Sequence, residues 1–174
     1  PIGEGYKSGD VLIKKGTKIG FAEIGVMAGL NTVMANVAVR PRVAVIATGS
    51  EILDLGVESD NPAQIRSSNN YTLAALFEQA GAEVRTALFT NQTEQQIEQS
   101  IVAFEKEINA ANIMMIPGGF SAGDEPDGSA KFIVAVLKNP RIKEAVHALL
   151  KRGGLMLGIC NGFQALVKSG LLPY

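Results

Sequence analysis

The feature that most constrains this chain is a fourfold alternation. Between residues 42 and 168, short apolar runs of strand length are each followed by a stretch whose apolar residues recur at helical spacing. The first run, Arg42-Val43-Ala44-Val45-Ile46-Ala47, is the continuous β-branched kind that a parallel strand buried on both faces requires. Residues 82–88, 112–116 and 154–159 read as three further strands. Residues 70–80 place Leu73, Leu76 and Phe77 on one helical face and stop at Gly81, which suits a C-cap. Residues 93–108 space Ile97, Ile101, Phe104 and Ile108 at helical intervals, with Thr93 or Asn91 placed to cap the start. Helical text over 131–138 breaks at Pro140 and resumes to about residue 151, and 162–168 reads as a last helix. Parallel neighbours need crossover connections, so the alternation predicts an α/β fold: a doubly wound, mainly parallel sheet with helices on both faces and its strand order left open. Residues 1–40 are punctuated by glycine and hold β-type pieces such as Val11-Leu12-Ile13 and one short helix near 22–28. They read as a small β-rich N-terminal arm or domain remnant ahead of a sheet domain spanning 41–174.

Charge narrows the partners. With 16 basic and 17 acidic residues spread along the chain, no stripe exists to hold a phosphate backbone, so nucleic acid is excluded as the expected partner. No apolar run approaches the roughly 20 residues that cross a bilayer, and the first residues lack a signal-peptide pattern, so the expectation is a soluble, cytoplasmic protein with no membrane partner. A start at Pro1 without methionine suggests a fragment. The single cysteine, Cys160, can form neither an internal disulfide nor a cysteine-based metal site, which leaves reactivity as the question it poses.

Ligands of open α/β sheets collect at the carboxyl ends of strands, and three loops there carry chemistry. In Gly158-Ile159-Cys160-Asn161-Gly162-Phe163-Gln164 a strand ends at a cysteine flanked by small residues and enters a helix, the pattern of a nucleophile elbow, where a helix N-terminus favours an anion. The alternative is a small cysteine packed as a hydrophobe. The loop from Pro117 to Ser129 contains Gly118-Gly119-Phe120-Ser121 and the acids Asp124 and Asp127; its paired glycines can turn N–H groups toward an oxyanion, with the N–H of Asn161 as a second donor, or it is a turn-rich connection whose acids face water. The loop Thr48-Gly49-Ser50-Glu51 offers hydroxyls and backbone donors to a phosphate and a carboxylate to a metal or hydroxyl, or is an ordinary capped turn.

Two longer stretches carry resemblances. Pro117-Gly-Gly-Phe-Ser-Ala-Gly-Asp-Glu-Pro-Asp-Gly-Ser-Ala-Lys-Phe132 and Gly154-Leu-Met-Leu-Gly-Ile-Cys-Asn-Gly-Phe-Gln-Ala-Leu166 make residues from about 86 to 174 resemble the glutaminase domain of phosphoribosylformylglycinamidine synthase, a purine-biosynthesis ligase. The resemblance implies a three-layer sheet of flavodoxin-like, class I amidotransferase type. It makes Cys160 the nucleophile on a glutamine amide, puts Gly119 and Asn161 near the oxyanion, and leaves Gly118, Phe120, Ser121 and Gln164 lining the substrate. Residues 1 to about 85 resemble instead the molybdopterin molybdotransferases of molybdenum cofactor biosynthesis, through Gly9-Asp10-Val-Leu-Ile-Lys-Lys-Gly-Thr17, the segment Arg40 to Glu51, and Gln64-Ile-Arg-Ser-Ser-Asn69. There Glu51 matches the acid of a Thr-Gly-Asp-Glu loop, while that family's Gly-Glu-Asp motif reads Gly3-Glu4-Gly5, one acid short. This resemblance implies a site for molybdopterin, with Mg2+ on acids such as Asp124 and Asp127, and a pterin phosphate at Thr48, Gly49, Ser50 and Glu51.

The two resemblances together imply a chimera-like chain joined near residues 80–88. A thiolate that attacks an amide needs a base, usually histidine, and its loss removes about 2 to 4 powers of ten in rate. The only histidine, His147, falls on the crossover helix before the cysteine strand, away from the strand tips. The expectation is therefore the cysteine-elbow half of an amidotransferase site beside a molybdopterin-type first βα unit, without turnover. Its small-molecule ligand is glutamine or a pterin phosphate, and a homodimer through exposed apolar surface is a further expectation. The alternative is a molybdopterin- or molybdate-binding domain of a molybdotransferase.

Overall fold

In a computed structural model of the chain, residues 5–49, 51–89, 94–119 and 130–172 are described. Two compact units divide it, Pro1–Val39 and Arg40–Tyr174.

Within the described part of the first unit the regular element is α1 (Phe21–Gly29). Gly20 precedes it, and the Glu23 carboxylate accepts a hydrogen bond from the Gly20 N–H at 2.8 Å, which satisfies one of the donors a helix start leaves open. Val11-Leu12-Ile13 forms no strand, contrary to the β-rich arm expected from sequence. β-branched text becomes a strand only when a neighbour takes up its backbone groups, and Val11 is 73% exposed.

The second unit holds the sheet. Its elements in chain order are β1 (Arg42–Thr48), β2 (Ile52–Leu53), β3 (Ile65–Arg66), α2 (Ser68–Gln79), β4 (Glu83–Phe89) and α3 (Glu94–Ala110). They continue with β5 (Ile113–Ile116), α4 (Lys131–Lys138), α5 (Pro140–Lys151), β6 (Leu155–Gly158) and α6 (Asn161–Lys168). The main sheet runs β4-β1-β5-β6, every pairing parallel, with Val43 opposite both Val84 and Ile113, and Met114 opposite Met156. The short β2 and β3 pair with each other.

Alternation along β1 divides the core into two layers. Ala44 and Ile46 join Met114, Ile116 and residues of α3, α4, α5 and α6 in one cluster, while Val43, Val45 and Met115 pack with Leu73 and Phe77 of α2 in the other. Helices thus cover both faces, as the alternation predicts. The helix faces differ in detail: Leu76 is 54% and Ile97 43% exposed, while Phe104 and Ile108 are buried. The proposed caps at Asn91 and Thr93 lie outside the described residues. Gly81 has φ +94, the left-handed conformation that a glycine after a helix supplies. Pro140 opens α5, and the Asn139 side chain accepts from the Arg141 N–H at 3.1 Å, so the proline that ends α4 starts the next helix. Arg152 donates to the carbonyls of Ile108 (2.7 Å) and Ala111 (2.8 Å), closing the carboxyl end of α3. No helix among the described residues is long and apolar enough to cross a membrane.

Candidate functional site

Chain order reverses at β1, whose neighbours β4 and β5 follow it in sequence on opposite sides. The crevice at such a point, at the carboxyl ends of the strands, is where ligands of these sheets sit. Here it holds a cavity of about 80 Å³ walled by the end of β1, the turn after β5, and the first residues of α2 and α6. At about 30 Å³ per water, that is room for a phosphate- or carboxamide-sized group.

Four observations define its chemistry. Ser68 opens α2 and Asn161 opens α6, and both line the cavity, so two helix N-termini lend it partial positive charge. Glu51 is 9% exposed, and its Oε2, like the buried Oγ1 of Thr48, has no hydrogen-bond partner among the described residues. Gly49 makes that placement feasible, because a Cβ there would come within 2.9 Å of Glu51 Oε1 and of the Ile52 side chain. Arg66 Nη1 donates to the carbonyls of Asp54 (3.0 Å) and Val57. A buried carboxylate oxygen without a donor is costly to leave so, and a bound group that supplies one relieves it.

Cys160 stands behind one wall. It has φ +50 and ψ −111, a conformation rare outside glycine, and its thiol-bearing side chain is exposed, so it is not packed into an apolar layer. The turn is drawn tight by the N–H of Gly162 donating to the Ile159 carbonyl at 2.8 Å and that of Gln164 donating to the Cys160 carbonyl at 3.1 Å. Side chains are excluded around it: a Cβ on Gly158 would lie 2.7 Å from the Gly162 carbonyl group, and one on Gly162 would lie 2.3 Å from the Ile116 oxygen. A Cβ on Gly118 would meet the Cys160 Cβ at 2.8 Å, so Gly118 touches the cysteine on one side and the cavity on the other. This close-packed strand-to-helix corner is the shape of a nucleophile elbow.

Of the residues singled out from sequence, Thr48, Glu51, Gly118, Gly119 and Asn161 meet around the cavity, with Asn161 buried and Gly119 exposed. Gly49 is buried beside it, and Gln164 faces solvent on α6. Ser50, Phe120, Ser121, Asp124 and Asp127 lie outside the described residues, and among the described ones no three His, Cys, Asp or Glu side chains converge to hold a metal. His147 is exposed on α5 and borders a separate hollow with Lys138, Lys143 and Ser169, at the carboxyl end of α6. Cys160 precedes the amino end of that 8-residue helix, about 12 Å away along the axis. Asn69, which the sequence offered only as the end of the segment Gln64 to Asn69 and with no role at the site, donates from Nδ2 to the Gly118 carbonyl at 2.7 Å and ties α2 to the glycine turn. The signal was the polar run Ser67-Ser68-Asn69 ahead of an apolar helix, a helix start facing the sheet's ligand end.

Residues 67–174 match the CobB/CobQ-like glutamine amidotransferase domain family. The molybdopterin molybdenumtransferase of Staphylococcus epidermidis is 37% identical over 122 residues, 70% of this chain and 28% of that protein. Molybdopterin molybdenumtransferase 1 of Mycobacterium tuberculosis is 28% identical over 169 residues, 97% of this chain and 36% of that protein. Among solved structures, the molybdopterin biosynthesis moea protein from Pyrococcus horikosii aligns with a TM-score of 0.54 and 25% identity, covering 72% of this chain and 29% of that one. The chain therefore resembles both groups, and it spans 28% and 36% of the two curated relatives. The matches of 122 and 169 residues are longer than residues 1–85, so the two likenesses overlap on the sheet.

Proposed function

The chain belongs to the CobB/CobQ-like glutamine amidotransferase domain family through residues 67–174, and from its second likeness we propose that it is a small-molecule-binding domain of molybdopterin molybdotransferase type. The observation that carries this reading is the pair Thr48 Oγ1 and Glu51 Oε2, unpartnered among the described residues, beside a cavity flanked by two helix N-termini. The N-termini and the threonine hydroxyl suit an anionic phosphate, and Glu51 suits a hydroxyl or N–H next to it. The cavity takes the phosphate end of such a ligand, and the rest of a pterin lies outside it. The strand order β4-β1-β5-β6 supports a flavodoxin-like arrangement, which binds phosphate at this crevice. Isothermal titration with a pterin phosphate is expected to give saturable heat that Thr48→Val abolishes. Absence of heat at millimolar ligand overturns the reading.

The geometry of Cys160 favours a second reading, thiol chemistry of amidotransferase type. An exposed sulfur at a glycine-lined corner before a helix is presented for attack on a carbonyl, with Gly119 and Asn161 nearby as the oxyanion region. His147 lies at the other end of α6 and takes no part in this reading, whose expected chemistry is covalent capture at Cys160. The test is mass-spectrometric labelling with 6-diazo-5-oxo-norleucine, a glutamine-shaped electrophile. One adduct per chain at Cys160 supports the reading, and an unlabelled chain removes it.

A further inference from the structure

The four-stranded sheet has two free edges, and they are guarded differently. β4 carries Glu83 and Arg85, both exposed, the kind of charge with which edge strands discourage pairing with another chain. β6 has no such guard, and residues 153–167 hold no acidic or basic side chain. The N–H groups of Leu155 and Ile159 donate to the carbonyls of Asn112 (2.9 Å) and Ile116 (3.1 Å), so these residues and Leu157 between them turn their backbone toward β5. Alternation turns the N–H and C=O groups of Met156 and Gly158 outward, where no described residue pairs with them. The side chains alternate as well. Met156 packs against the buried cluster of α3, α5 and α6, whereas Leu155, Leu157 and Ile159 point to the opposite face and are 63%, 46% and 45% exposed.

We propose that this edge pairs with the same edge of a second copy of the chain. Its groups are self-complementary in one antiparallel register. With Leu157 opposite its own copy on a two-fold axis, Met156 faces Gly158 of the partner subunit, and each such pair exchanges two backbone hydrogen bonds. Leu157 then occupies a non-hydrogen-bonded pair, where side chains stand closest, and Leu155 lies against Ile159 of the partner subunit. The half-exposed apolar faces of the two copies cover each other, and the sheet runs on through both. A slip of one residue would set outward-facing groups against inward-facing ones, so the register is specified. The contact is isologous and stops at two, because the guarded β4 edge at either end offers a third copy no place. β6 is 4 residues long, so the interface is small, with a Kd on the order of 10 to 1000 µM.

Sedimentation equilibrium of the full chain across that concentration range is the test. The mass is expected to rise from 18.3 kDa toward twice that value and no further. Leu157→Lys, at a site already half exposed, sets two like charges against each other on the axis and is expected to weaken association at least about 100-fold. Val102→Lys, which removes a comparably exposed apolar residue from α3, is expected to leave association unchanged. Deuterium exchange gives a readout that needs no variant: the Met156 and Gly158 amides are expected to exchange fast in dilute protein and to slow as the dimer fills. A mass fixed at 18.3 kDa overturns the proposal and leaves the edge to a strand of different sequence. Growth past two copies, or association that Leu157→Lys leaves intact, overturns it as well. So does a dimer in which Met156 and Gly158 exchange as fast as in the monomer, since another surface then holds the two copies together.

Discussion

Gly162→Ala isolates the physical claim about the cysteine corner. Gly162 lies in the first turn of α6, and on helix propensity alone alanine would stabilise that helix by about 1 kcal/mol. The surroundings oppose this. The new Cβ would lie 2.3 Å from the Ile116 carbonyl oxygen, 3.0 Å from its carbon and 3.1 Å from its Cγ2, against comfortable contacts of about 3.5 to 4.0 Å. The obstacle is the backbone of β5, a strand paired on both sides, so it cannot swing away as a side-chain tip would. The Ile116 oxygen also accepts the Ile159 N–H at 3.1 Å, a bond that relaxation would stretch. Overpacking of this kind costs about 1 to 3 kcal/mol, and a weakened hydrogen bond adds about 0.5 to 1.5. After the propensity gain, the expected net loss is about 0.5 to 3.5 kcal/mol. Urea unfolding followed by far-ultraviolet circular dichroism is the assay. With a slope of about 1 to 3 kcal/mol per molar, the midpoint should fall by about 1 M. An unchanged or raised midpoint refutes the close approach of α6 to β5, and the elbow geometry with it.

Leu149→Ala empties a fully buried position among α3, α5 and the sheet, and a loss of about 2 to 5 kcal/mol in the same urea assay is expected. His147→Ala is expected to leave Cys160 alkylation rates unchanged and stability within about 0.5 kcal/mol, since the ring is exposed at the far end of α6; a slowed thiol would place the imidazole at the cysteine after all. The Tyr71 hydroxyl donates to Asp54 Oδ1 at 2.5 Å, which raises its pKa above the ordinary value. That bond is intact below the ordinary tyrosine value near 10 and is lost as pH rises through the raised one. One of the three tyrosines should therefore ionise late in a near-ultraviolet titration, and the late step should vanish in Tyr71→Phe.

What could be read from the chain beforehand was whatever neighbouring residues decide. The strand of Arg42 to Ala47, the break at Pro140 and the stop at Gly81 depend on local periodicity and local backbone preference. Strand order did not, because it depends on partners far apart: Arg42 N–H meets the Asn112 side chain across 70 positions at 2.9 Å. For the same reason Val11 to Ile13 looked like a strand and is not one, and Leu76 looked inward and is not, since a face counts as core only where another element covers it. Thr48, Glu51, Gly118, Gly119 and Asn161, singled out in loops after strands, line one cavity, whereas the role of Asn69 in joining α2 to Gly118 emerges only when β1 and β5 stand side by side.

The position of β1 has a consequence for how any ligand would be felt. The strand carries the Thr48–Glu51 side of the cavity, pairs with β4 along its whole length, and is flanked on its other edge by β5. Its amides should be among the slowest to exchange with deuterium, opening only when the whole sheet opens. A molecule held there cannot be shed by fraying one corner. Its binding adds RT ln(1 + [L]/Kd) to the free energy of complete unfolding, so occupancy at the rim is expected to slow exchange at Val43 and Val45, deep in the sheet and out of the ligand's reach.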